Sequence, residues 1–144
     1  MADCVFCDLI SRQGEVSAVH EDERTLTFMD IQPVVRGHML IVPRRHATYL
    51  ADLEVEDGAH VFRVGQLAAA ALRASGLRCE GVNFFLADGE AAGQEVFHVH
   101  LHVWPRHGGD GFGLQLPPGY SVRPRAELDQ TATALVDAWP RSRR

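Results

Sequence analysis

The chain has 144 residues, 46% hydrophobic and 23% charged, with a net charge of −5 and a pI near 5.9. That length suits one domain able to bury a real core, and the acidic balance argues against non-specific nucleic-acid binding as the main activity. The N-terminal MADCVFCDLI has neither a basic n-region nor a long apolar run, and no stretch approaches a membrane span, so a cytoplasmic protein with no signal peptide and no membrane partner is expected.

In chain order, Val5, Phe6, Leu9 and Ile10 fit a short amphipathic helix over residues 4–12, ended by Gly14. Residues 16–20 and 25–29 read as two strands with Asp22 and Glu23 in the turn. A third strand follows Gly37 at residues 38–42 and closes at Pro43. From about residue 54 to 75 the period becomes helical, with Val61, Gly65, Ala68 and Leu72 on one stripe flanked by Phe62 and Ala69, and with Gly76 placed to end it. Residues 82–86 form a fourth strand, residues 88–94 a loop, and residues 98–104 a fifth strand that stops at Pro105. Residues 107–124 are rich in Gly and Pro, a weak last helix spans about 126–138, and the end (residues 139–144) is basic, short and expected to fray. This order gives an α+β domain: one largely antiparallel sheet with helices on one face, in a single domain of residues 1–144 whose core spans about 4–113, followed by a tail at 114–144.

The chemistry concentrates in His98-Val99-His100-Leu101-His102-Val103-Trp104. On a strand these three histidines share one face, and Val99, Leu101 and Val103 share the other. In a straight strand His98 and His102 stand roughly 13 Å apart, too far for one tetrahedral zinc to take all three. The alternative is a sheet face that is simply histidine-rich. Three cysteines, Cys4, Cys7 and Cys79, do not make a secreted disulfide framework, and Cys79 reads as a structural thiol. The Cys4-x-x-Cys7 pair is open to three readings. It lacks the preceding strand of a redox dithiol; it is half of a structural zinc site for which His46 and His98 are available; or it is two reduced thiols on a helix. With His98 on a metal, His100 and His102 are left for an anion. Backbone N–H groups around Gly93, Gln94 and Glu95 can cradle phosphate, one neutral imidazole can attack phosphorus, and a second, as imidazolium, can stabilise the transferred group. His38 is either a third contact or a strand-edge imidazole.

The run His98-x-His100-x-His102 resembles the signature of the histidine-triad (HIT) family of nucleotide hydrolases and transferases. The resemblance covers about residues 4–113. It takes in Phe28-Met29-Asp30-Ile31, Gly37-His38, Ile41-Val42-Pro43 with His46, Asp88-Gly89, Ala92-Gly93-Gln94 and Pro105-Arg106. It implies a five-stranded antiparallel sheet with two main helices, in a protein that forms homodimers whose sheets join. His100 would be the nucleophile on the α-phosphate of a nucleotide, with His102 and His38 as phosphate contacts. Gly93, Gln94 and Glu95 would line the phosphate loop, and Asp30 would bond the ribose. Val5, Phe6, Leu9, Phe28 and Ile31 would form the base pocket, with Asn83 in a supporting role. It also implies a structural zinc on Cys4, Cys7, His46 and His98, as in bacterial members.

Two positions depart from the family pattern. Ala87 stands where Asn or Gln is common, and Glu95 where Ser or Thr is common; a carboxylate there repels phosphate unless it turns away or is protonated. Three functions follow: a nucleotide hydrolase acting on nucleoside phosphoramidates or dinucleoside polyphosphates, a nucleotidyltransferase, or a nucleotide-binding regulatory module with little turnover. Pro105-Arg106 looks more like the hydrolases.

Overall fold

A computed structural model describes residues 3–141, which fall into two units that divide between Phe112 and Gly113. In the first unit five strands form one antiparallel sheet in the order β1-β2-β3-β5-β4. The strands are β1 (Ala18–Glu21), β2 (Thr25–Met29), β3 (Met39–Pro43), β4 (Gly81–Phe85) and β5 (Leu101–Arg106). A short helix α1 (Val5–Ile10) precedes the sheet, and a long helix α2 (Val55–Ala74) links β3 to β4. The β1–β2 turn is fixed by the carboxylate of Asp22, which accepts from the N–H groups of Arg24 and Thr25 and from the Thr25 hydroxyl.

The helices lie on opposite faces of this sheet, which corrects the expectation of helices on one face. Met39-Leu40-Ile41-Val42 is apolar at every position, so β3 needs cover on both sides. Met39 and Ile41 pack with Leu101 and Val103 against Val61, Val64, Ala68 and Leu72 of α2. Leu40 and Val42 pack with Leu26 and Phe28 against Phe6 of α1. Val64 belongs to the buried stripe of α2, whereas Phe62 is exposed and meets Phe84 edge-on, 5.8 Å between ring centres. Gly65 lets α2 approach the sheet closely: a Cβ there would sit 3.2 Å from Leu101.

Two boundaries differ from the sequence reading in ways that shape the site. The histidine strand begins at Leu101, not at residue 98, and runs through Pro105 to Arg106. Before Leu101 the chain turns aside, with the Val99 N–H donating to the Ala47 carbonyl at 2.8 Å. Pro105 is tolerated because the Arg106 carbonyl faces β4, accepting from the Glu80 N–H at 2.8 Å. The nitrogen of Pro105 therefore faces the other side, where pairing with β3 has already ended at Val103. Helix α1 ends at Ile10, and the left-handed residue that turns the chain is Arg12 (φ 62°), not Gly14. The N–H groups of Arg12 and Gln13 donate back to the carbonyls of Leu9 and Asp8, the pattern of a Schellman turn.

Residues 107–112 close the first unit. The Arg106 guanidinium holds them by pairing with Asp110 at 2.7 and 2.9 Å, and it also reaches Asn83 Oδ1 at 2.8 Å and the Phe112 carbonyl. In the second unit the chain is irregular up to Pro124 and then forms α3 (Arg125–Ala138). Residues 142–144 of the basic end, expected to fray, lie outside the described residues. Among the described residues no helix is long and apolar enough to cross a membrane.

Candidate functional site

Three histidines converge at the centre of the sheet: His38 just before β3, His100 just before β5, and His102 within β5, opposite Leu40. Each imidazole has a hydrogen-bond partner that fixes its tautomer. The His98 carbonyl lies 2.7 Å from His100 Nδ1. A carbonyl only accepts, so Nδ1 carries the hydrogen and the lone pair of His100 is on Nε2. The Val34 N–H donates to His38 Nδ1 at 3.2 Å, which leaves the hydrogen of a neutral His38 on Nε2. That N–H donates to His102 Nδ1 at 2.8 Å, so His102 in turn keeps its hydrogen on Nε2. Asp30 Oδ2 stands 3.4 Å from His38 Nε2.

All three are neutral bases in this site. Burial pushes each of them down, most strongly His102, to about 4, with His100 and His38 adding to the effect; Asp30 works in the opposite direction. The imidazolium expected beside the nucleophile is thus a neutral imidazole here. It can offer an N–H donor but not a charge, because desolvation outweighs the nearby carboxylate.

The histidines open onto a cavity of about 770 Å³. Its lining includes Val5, Phe6, Leu9, Phe28, Asp30 and Ile31, with Gly93 and Glu95 from the loop before β5. Ile31 is 99% exposed, at the rim. Gln94 and Asn83 lie outside the lining. Gln94 is buried and braces the loop: its Nε2–H groups donate to the carbonyls of Thr48 and Val96, and its Oε1 accepts from the Gly89 N–H. Asn83 accepts from Arg106. Ala87 is buried, also away from the cavity.

The loop offers fewer donors to an anion than its glycines suggest. The Gly93 and Gln94 N–H groups already donate to the Glu90 and Gly89 carbonyls in a 3₁₀ turn. The Glu95 N–H has no partner among the described residues. Several lining residues escaped the sequence reading, among them Glu15, Val16, Phe85 and Trp104. Trp104 was the most legible, since it continues the alternation of His100 and His102; Phe85, its neighbour on β4, stacks on it at 5.0 Å and 17°.

A second cluster lies behind the first. Cys4, Cys7, His46 and His98 bring one ligand atom each to within 4.8 Å of one another. His98 is fully buried, and its Nε2–H donates to the Pro43 carbonyl at 2.8 Å, so its Nδ1 lone pair points into the cluster. That Nδ1 is 3.2 Å from His46 Nδ1, 3.4 Å from Cys4 Sγ and 3.6 Å from Cys7 Sγ, and Cys7 Sγ is 3.3 Å from His46 Nδ1. With bonds of about 2.0–2.1 Å to nitrogen and 2.3 Å to sulfur, the edges of a tetrahedral zinc site are about 3.3 Å between nitrogens and about 3.5 Å between nitrogen and sulfur. The four separations above have these dimensions. Without a cation the Cys7 thiol is pushed up to about 11, by burial first and then by Cys4. Acceptor atoms converging on one point are what a metal ion would relieve. Asp30, His38 and His102 also bring three ligand atoms together, but the 2.8 Å between their imidazoles is a hydrogen bond, shorter than a ligand–ligand edge.

Residues 11–109 match the model of the HIT domain family. An uncharacterized HIT-like protein of Mycobacterium tuberculosis is 38% identical over 135 residues, covering 94% of this chain and 92% of its own. Among solved structures, a HIT family protein from Bacillus anthracis superposes with a TM-score of 0.87 at 35% identity, over 96% of this chain and 99% of the other. A zinc-bound histidine triad family protein from Mycobacterium smegmatis superposes with a TM-score of 0.75 at 39% identity, over 96% and 98%. Sequence, fold and the clustered imidazoles agree, and this chain belongs to the HIT domain family.

Proposed function

We propose that the protein is a nucleotide hydrolase that acts at the α-phosphate of nucleoside phosphoramidates or dinucleoside polyphosphates through a nucleotidyl-histidine intermediate on His100. One observation carries this reading: the hydrogen bond from His100 Nδ1–H to the His98 carbonyl, which leaves the Nε2 lone pair of a neutral imidazole free to attack. The apolar wall of Val5, Phe6, Leu9 and Phe28, with Ile31 at its rim, suits a base, and Asp30 suits the ribose hydroxyls. The α-phosphate would lie against His100, with the His102 Nε2–H and the Glu95 N–H as donors to its oxygens. His38 would act through His102 by holding its tautomer.

The reaction runs in two displacements. His100 Nε2 forms a bond to phosphorus as the bond to the leaving group breaks, and the departing atom takes a proton from solvent. Water then adds to phosphorus, the P–Nε2 bond breaks, its electron pair returns to His100, and the proton of the water passes to solvent.

We also infer a structural zinc on Cys4, Cys7, His46 and His98, in line with the tetrahedral spacing and with the zinc-bound Mycobacterium smegmatis relative. When bound, it would tie α1 to the end of β3 and hold the segment that precedes β5. His98 would thus serve two purposes, a ring nitrogen on the metal and a carbonyl on the nucleophile. A homodimer is inferred as well: among the described residues β4 pairs only with β5, which leaves its outer edge without a partner strand, and the exposed Phe62 and Phe84 stand on that side of the sheet.

Three measurements test these readings. With adenosine phosphoramidate, His100→Ala should lower AMP release by about a thousandfold or more, while the wild type shows a transient adenylyl adduct by mass spectrometry; unchanged release would overturn the nucleophile. Metal analysis should find about one zinc per wild-type chain and none in Cys4→Ser, with a lower Tm in the variant; equal metal in both would contradict the site. Sedimentation equilibrium should give twice the chain mass for the wild type and the chain mass for Phe84→Glu, whereas a monomeric wild type would rule out the dimer.

A further inference from the structure

The cavity read above as a nucleotide site has a lopsided charge balance. Glu15, Asp30 and Glu95 line it, and among the described residues no arginine does. The chain contains no lysine at all. Arg36, two residues before His38, is exposed on the loop leading to β3 and is not part of the lining. A polyphosphate would therefore bring two or more further anionic groups to carboxylates with no fixed cation between them, an arrangement that like-charge repulsion disfavours.

The depth of the nucleophile shows where that repulsion would fall. His100 is buried, 6% exposed, at the floor of the cavity. In an in-line displacement the leaving group points away from the attacking atom, hence outward to the mouth. Glu95 is exposed, so it belongs to the solvent side of the lining, and it also lines a smaller adjoining cavity of about 450 Å³ with Thr48 and Val96. Its main-chain N–H and its carboxylate can serve different ends, the first for the α-phosphate and the second for whatever departs.

Resting on the proposed hydrolase reading, we propose that Glu95 selects substrates whose leaving group carries a positive charge, namely nucleoside phosphoramidates of amines that bear a second, cationic group. The carboxylate attracts that distal cation and transfers no proton. The P–N bond breaks with its electron pair going to the departing nitrogen, and that nitrogen takes its proton from solvent. The same carboxylate opposes a departing polyphosphate.

The test uses the full-length protein and three probes: adenosine 5′-phosphoramidates of butylamine and of 1,4-diaminobutane, and diadenosine tetraphosphate. The readout is the ratio of kcat/KM values between probes, in wild type, Glu95→Gln and, as a control for surface charge, Glu90→Gln. Wild type should prefer the diamine over the monoamine by about fivefold, the upper range for an exposed ion pair. The preference should shrink in about 1 M salt and approach one in Glu95→Gln, while Glu90→Gln retains it. Diadenosine tetraphosphate should gain relative to the monoamine in Glu95→Gln. A wild-type ratio near one, or a ratio unchanged in Glu95→Gln, overturns the selection while leaving the hydrolase intact. No turnover of any probe overturns the hydrolase reading and this inference with it.

Discussion

The main-chain carbonyl of His98 is the hinge of this structure. It accepts from His100 Nδ1, and that single bond decides which nitrogen of His100 keeps a free lone pair for the proposed attack. A solvated imidazole exchanges freely between tautomers and protonates near neutral pH. Here a carbonyl that can only accept fixes the tautomer, and burial keeps the ring neutral. The neighbouring imidazoles follow the same rule with the opposite outcome. The Val34 N–H binds His38 Nδ1, and the resulting His38 Nε2–H binds His102 Nδ1. One backbone acceptor and one backbone donor thus produce a lone pair on His100 beside an N–H on His102, the complementary pair that the proposed displacement at phosphorus would use.

The fold exists to hold that carbonyl still. β3 is apolar on both faces and is covered by α2 on one side and α1 on the other. Its end presents the Pro43 carbonyl to His98, and the turn before it presents His38. Gly37 makes that turn possible. Its φ is +102°, and a Cβ there would come within 2.9 Å of Pro105, so both the backbone conformation and the packing exclude a side chain. Departure of the chain from the sheet before Leu101 is equally necessary. In a straight strand His98 could not leave the sheet to reach Cys4, Cys7 and His46 while its carbonyl stayed beside His100.

Much of this was legible in the sequence, and the reasons are specific. Alternation around His100 and His102 marks a strand with one functional face, and Trp104 continues it. The four ligands Cys4, Cys7, His46 and His98 were legible as a set only through the family resemblance, because the spacing of Cys4 and Cys7 by itself left three readings open. The strand start was not legible, since Val99 continues the apolar alternation and nothing local shows that its N–H bonds to Ala47 instead of a neighbouring strand. Pro105 misled for a related reason: whether a proline ends a strand depends on which side its nitrogen faces, a property of the partner strands. The protonation states were hidden too, because they follow from burial. Gln94 suggested a phosphate contact by position, yet its side chain is spent on Thr48, Val96 and Gly89.

The central claim is that main-chain partners, and not charge, set the state of His100 that the proposed attack needs. Long-range ¹H–¹⁵N correlation spectra of histidine-labelled protein at pH 7 read the tautomer of each ring directly. The account predicts a neutral His100 with its hydrogen on Nδ1, and neutral His38 and His102 with theirs on Nε2, His102 gaining a second proton only as the pH approaches 4. A His100 that carries its hydrogen on Nε2, or that is an imidazolium at pH 7, would contradict it.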